Sequence, residues 1–131
     1  MRLRIVALGQ RMPSWVTDAV ADYAKRLPRE TPSEIVELRP AARDRGRTVA
    51  QMLAEESRAI ATACAGATVV ALDERGTTLT TKALAQRLTD WQLGGDDVAL
   101  ILGGPDGLQP AFRQAAHERI RLSDLTLPHA M

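Results

Sequence analysis

Apolar runs of strand length alternate along this chain with stretches of helical periodicity, and the joints between them are short. "RLRIVALG" (2–9), "SEIVELR" (33–39), "ATVVALD" (67–73), "DVALIL" (97–102) and "RIRL" (119–122) read as strands. "PSWVTDAVADYAKRL" (13–27) places Val16, Ala19, Val20, Tyr23, Ala24 and Leu27 at helical spacing behind Pro13. A second helix is expected over 48–65, where Thr48 and Gln51 stand in capping-box positions and Gly66 stops it. A third, over 80–93, carries Leu84, Leu88 and Trp91 on one face and ends at Gly94-Gly95, and a fourth is expected around 109–118. Such alternation predicts an α/β fold with a mostly parallel sheet flanked by helices. In these sheets ligands sit beyond the carboxyl ends of the strands. Three exits are suggestive: "LDERG" after the third strand, "GGPDG" after the fourth and "LSDLTLPH" after the fifth. They share one rim if those strands are neighbours.

At 131 residues the chain has the length of one domain with one core. Its aromatic residues are Trp15, Tyr23, Trp91 and Phe112, so the core must be aliphatic and an aromatic stacking platform for single-stranded nucleic acid is not available. No run approaches the ~20 apolar residues of a membrane helix. The opening "MRLRIVALGQ" reads as a first strand rather than a signal peptide. Cys64 has no second cysteine to pair with, which suits a reducing cytoplasm. The formal charge of +1 leaves nucleic-acid binding to be decided by how the charge is distributed.

"LILGGPDGL" (100–108) asks what its backbone is pressed against. The dinucleotide fingerprint needs G-x-G-x-x-G, and the Walker loop needs G-K-[ST] opening the next helix; neither spacing is present. Glycines still permit close backbone approach, and Pro105 stiffens the turn, so on local composition the loop is equally an ordinary strand-to-helix turn. His117, His129 and Cys64 stand at no metal-ligand spacing. His117 is expected in a helix and solvated, and Cys64, on a face with Val49, Met52, Leu53 and Ile60, is expected to fill core. Glu55-Glu56 lie within a helix and Asp96-Asp97 open a strand, so no carboxylate pair for acid–base work emerges. "RPAARDRGR" (39–47) gathers Arg39, Arg43, Arg45 and Arg47 against Asp44. Such a stretch is either a solvated surface loop or a basic segment that folds onto RNA.

Taken in order, "RIVALGQRMPSWV", "ADYAKRLP", "LDERG", "LILGGPDGL" and "LSDLTLPH" resemble the RlmH-type ribosomal RNA methyltransferases of the SPOUT class, and the resemblance spans essentially the whole chain. It implies an α/β fold with a C-terminal trefoil knot, a homodimer, and an enzyme that methylates N3 of a pseudouridine in bacterial large-subunit rRNA. S-Adenosylmethionine is the implied cofactor, and the family's contacts to it fall on Leu72, Gly103, Leu122, Ser123, Asp124, Leu125, Thr126 and Leu127. These positions coincide with the three strand exits. The glycines of 100–108 would then let main-chain groups reach the cofactor, in a loop that offers no lysine to repel a sulfonium. Asp106 and Asp124 are the acids near that rim, without an assigned role, and the catalytic base is unassigned.

The chain departs from the family at "LPHAM", where the pattern continues into a further helix and a His-, Tyr- and Arg-rich tail bearing the candidate catalytic residues. The expectation for a truncated chain of this kind is an incomplete knot, a weakened dimer and weak or absent catalysis. Two alternatives stay open: a non-catalytic ribosome- or RNA-binding module of the same fold, and a nucleotide-binding α/β protein unrelated to methyl transfer.

Overall fold

A computed structural model describes residues 1–9, 13–29, 31–39, 46, 48–102 and 116–122. Five strands form one sheet: β1 (Leu3–Leu8), β2 (Ser33–Leu38), β3 (Ala67–Thr78), β4 (Asp97–Leu102) and β5 (Glu118–Arg121). Their order is β2-β1-β4-β3-β5, and every pairing is parallel. One register row crosses the whole sheet through Val36, Val6, Ile101, Ala71 and Arg119. The helices are α1 (Ser14–Lys25), α2 (Val49–Ala63) and α3 (Thr81–Gly94). The α/β architecture read from the alternation is therefore the observed one.

Strand alternation sends side chains to both faces, and both are covered. On one face Val6, Leu8, Ala71, Ala99 and Ile101 pack with Ile60 of α2 and with Cys64 directly after it. On the other, Leu3, Val70, Val98 and Ile120 form a second cluster, against which Leu72, Leu100 and Trp91 of α3 pack. Full burial of an aliphatic side chain such as Ile101 contributes about 1.5–3 kcal/mol. β2, at one edge, buries none of its residues completely, in keeping with its weaker pattern.

Local signals set the helix ends. Thr48 Oγ1 accepts the Gln51 N–H at 3.1 Å, and Gln51 Oε1 accepts the Thr48 N–H at 2.9 Å, so the expected capping box is formed. Thr80 caps α3 in the same sense, and Gly95 ends it at a left-handed φ of +78°. α1 packs more loosely than its periodicity suggests: Val16, Ala19 and Ala24 are half-buried, while Val20, Tyr23 and Leu27 stay exposed.

Two expectations need correction. β3 does not stop at Asp73. Both Leu72 and Thr77 take Ile120 as partner, so residues 73–76 are looped out and Thr77-Thr78 rejoin β5. The helix expected around 109–118 does not reach its end: Ala116 and His117 form a bend and Glu118 opens β5. There the ladder to β3 outweighs the local helical propensity of "QAAHE". Glu56, within α2 as expected, is 2% exposed and sits on the core side of the helix.

Candidate functional site

The strand order settles the geometry left conditional by the sequence. β4, β3 and β5 are consecutive and parallel, so their carboxyl ends open on the same edge of the sheet. Leu72 lies one residue past the common row and pairs with Ile120; it is half-buried against the second core cluster. Leu122 immediately follows β5 and is 58% exposed. Both leave apolar surface outside the core. Gly103, Ser123, Asp124, Leu125, Thr126 and Leu127 lie outside the described residues, as do Asp106, Arg43, Arg45 and Arg47.

The looped-out residues 73–76 build the neighbouring surface. Asp73 Oδ1 accepts the Arg75 N–H at 3.2 Å, which tightens the start of the arch. At its end Gly76 lies on β5: a Cβ there would stand 2.7 Å from both Arg119 C and Ile120 N. Arg121 Nε donates to Thr78 Oγ1 at 3.0 Å, holding the second half of β3 to the end of β5.

Between this arch, β5 and α3 lies a cavity of about 410 Å³, lined in part by Arg75, Arg87, His117, Glu118 and Arg119. Glu118 is engaged at both oxygens, by Arg87 at Oε1 and by the Trp91 indole N–H at Oε2, 2.9 Å away. His117 is not helical; its Nδ1 accepts the Val69 N–H at 3.0 Å, so in the neutral ring Nε2 carries the proton. This cavity was not singled out from the sequence. The available signal was the density of charge in "DERG" and "HERIR", two segments with no sequence proximity.

Other titratable groups serve the fold. Asp97 Oδ1 accepts the Arg2 backbone N–H, and chiefly for that reason its carboxyl is held below the usual carboxylate range, with burial opposing and Arg4 assisting. Cys64 is buried in the core as expected; burial pushes its thiol pKa up, with Arg4 opposing weakly, which is the wrong direction for a nucleophile. No group of three or more potential metal ligands occurs among the described residues. No helix among them is long and apolar enough to cross a membrane.

A parallel sheet with adjacent carboxyl exits is the setting that the motifs anticipated, and the whole of residues 1–131 matches the family model described as "Predicted SPOUT methyltransferase". The chain belongs to the SPOUT methyltransferase family. Over its full length it is 63% identical to the protein named Ribosomal RNA large subunit methyltransferase H of Acidovorax ebreus (strain TPSY), covering 84% of that protein. It is equally similar, at 63% identity and the same coverage, to the protein of that name in Paracidovorax citrulli (strain AAC00-1). The protein of that name in Delftia acidovorans (strain DSM 14801 / SPH-1) is 61% identical over 132 residues.

Proposed function

We propose that this chain is an S-adenosylmethionine-dependent methyltransferase acting on N3 of a pseudouridine in large-subunit ribosomal RNA, as one domain over residues 1–131, in the cytoplasm and as a homodimer. The observation that carries the reading is the adjacency of the parallel strands β4, β3 and β5, with Leu72 just before the looped-out residues of β3 and Leu122 directly after β5. The names borne by its relatives support the substrate class, and the family resemblance carried by the ordered motifs implies the nucleotide and the cofactor.

The residues at that edge fit the cofactor. Leu72 and Leu122 keep apolar surface available there, and parallel strands leave main-chain groups unpaired where they end. Leu72, Gly103 and residues 122–127 would hold it. When bound, S-adenosylmethionine supplies an electrophilic methyl group on a sulfonium.

The protein's part is placement and proton management. The imide N–H of the substrate base must lose its proton near attack, and each pKa unit above ambient pH costs about 1.36 kcal/mol. A base within hydrogen-bond reach, or donors aimed at the developing carbonyl oxyanion, lowers that cost. Orienting two bound reactants contributes much of the remainder.

Calorimetry with S-adenosylmethionine, S-adenosylhomocysteine and ATP, followed by tritium-methyl transfer to purified ribosomes with the modified nucleotide mapped by mass spectrometry, tests the reading. Saturable binding of the two sulfur compounds is expected, and whatever label is transferred should map to a pseudouridine base. RNA binding without cofactor uptake would favour the non-catalytic module, and competition by ATP alone would favour an unrelated nucleotide-binding protein.

A further inference from the structure

We propose that the cavity beside β5 is a phosphate subsite for the RNA substrate, with Arg75 and Arg119 as its two available guanidinium groups. The inference rests on the reading of this chain as an RNA methyltransferase and adds to it where the strand carrying the modified base is gripped. Of the arginines lining the cavity, Arg87 is compensated by Glu118, whose second oxygen is taken by Trp91. Arg75 and Arg119 are exposed, and neither has a carboxylate within ion-pair distance among the described residues.

Both arginines line the one cavity, and the main chain beside them is in contact. Gly76 follows Arg75 and packs directly on the peptide that joins Arg119 to Ile120, so both side chains spring from main chain in contact. Two positive groups on the wall of one cavity favour an anion placed between them. Guanidinium groups match phosphate by paired N–H donors, and the Nε2–H of His117 is a further donor on the same wall. No Phe, Tyr or Trp ring lines the cavity among the described residues, and its wall is dominated by hydrogen-bond donors. Backbone phosphate is the part of an RNA it suits. Ile120 of its lining is the register partner of Leu72, which sets a strand held here alongside the proposed cofactor edge.

The test compares wild type, the double variant R75A/R119A and the charge-preserving R75K/R119K for binding to purified 70S ribosomes over a potassium chloride series, with S-adenosylmethionine affinity measured separately by calorimetry. Losing two phosphate contacts should weaken ribosome binding and reduce the slope of log K against log salt by about 1.4, at ~0.7 per single-strand contact. The lysine variant should keep most of the slope, and cofactor affinity should match wild type in all three. If the double variant does not fold, R119A alone should weaken ribosome binding and reduce the slope by about 0.7. Ribosome binding by R75A/R119A with wild-type affinity and slope overturns the subsite and leaves the enzyme reading intact. Loss of cofactor affinity with unchanged ribosome binding also overturns it, by assigning the arginines to the cofactor carboxylate. Failure of the wild type to bind ribosomes removes the parent reading and the subsite together.

Discussion

Arg4 and Asp97 clasp the amino ends of β1 and β4, with Arg4 Nη2 3.0 Å from Asp97 Oδ2. The same guanidinium donates through Nη1 to the Ala65 carbonyl at 2.9 Å and to the Ala63 carbonyl at 3.3 Å, so one side chain gathers two strands and the end of α2. The carboxylate is spanned in turn by the Arg2 backbone N–H at 3.0 Å. Only part-exposed, the pair acts through geometry more than through bare Coulomb attraction.

Acid titration checks this clasp. Because the folded-state pKa of Asp97 is lowered, its contribution is present above the ordinary carboxylate value of about 3.9 and is lost as pH falls through the lower folded value. In urea denaturation, D97N should be less stable than wild type by a constant margin near neutrality, and the margin should shrink below about pH 4. A margin independent of pH throughout would show that ionisation of Asp97 is immaterial.

Gly76→Ala should be destabilising by about 1–3 kcal/mol, because the new methyl meets backbone atoms of β5 that cannot swing aside. The denaturation midpoint measures it. A change under about 0.5 kcal/mol would mean that the arch moves freely off β5.

Thr48→Ala removes one half of the reciprocal cap on α2 and should cost about 1 kcal/mol. With Gln51→Ala the two losses should be less than additive, since either change breaks the same box. Additive losses in the double-mutant cycle would contradict a shared cap.

Leu122→Asp tests the cofactor edge without touching the core, since this residue is 58% exposed. S-Adenosylmethionine affinity should drop on the order of tenfold, the equivalent of one lost apolar contact of about 1.4 kcal/mol, with the thermal midpoint nearly unchanged. Unaltered affinity would place the cofactor elsewhere.

What could be read beforehand was whatever is written in local chemistry. The Thr48–Gln51 box, the helix end at Gly94-Gly95 and the strand over 97–102 all act over a few residues, and each stands as expected. The strand exits were legible as glycine- and acid-containing breaks, but their convergence depends on strand order, which periodicity does not encode. The second half of β3 was hidden because "DERG" has the composition of a terminal turn, and only pairing with Ile120 on a distant segment draws Thr77 back into the sheet. For the same reason His117 and Glu118 read as the tail of a helix; their partners, Val69 and Trp91, lie 48 and 27 residues away in sequence. The cavity arginines were missed because Arg75 and Arg119 meet only through that pairing.

The order β2-β1-β4-β3-β5 has a consequence for how the chain comes off the ribosome that makes it. β4 occupies the middle of the sheet yet is translated after both of its neighbours, β1 and β3. Until residues 97–102 emerge, those two strands each present a raw hydrogen-bonding margin with nothing to dock on it. Assembly must therefore wait for a late insertion between waiting halves, a slow and aggregation-exposed route in which crowding or a stalled translation complex would be felt first.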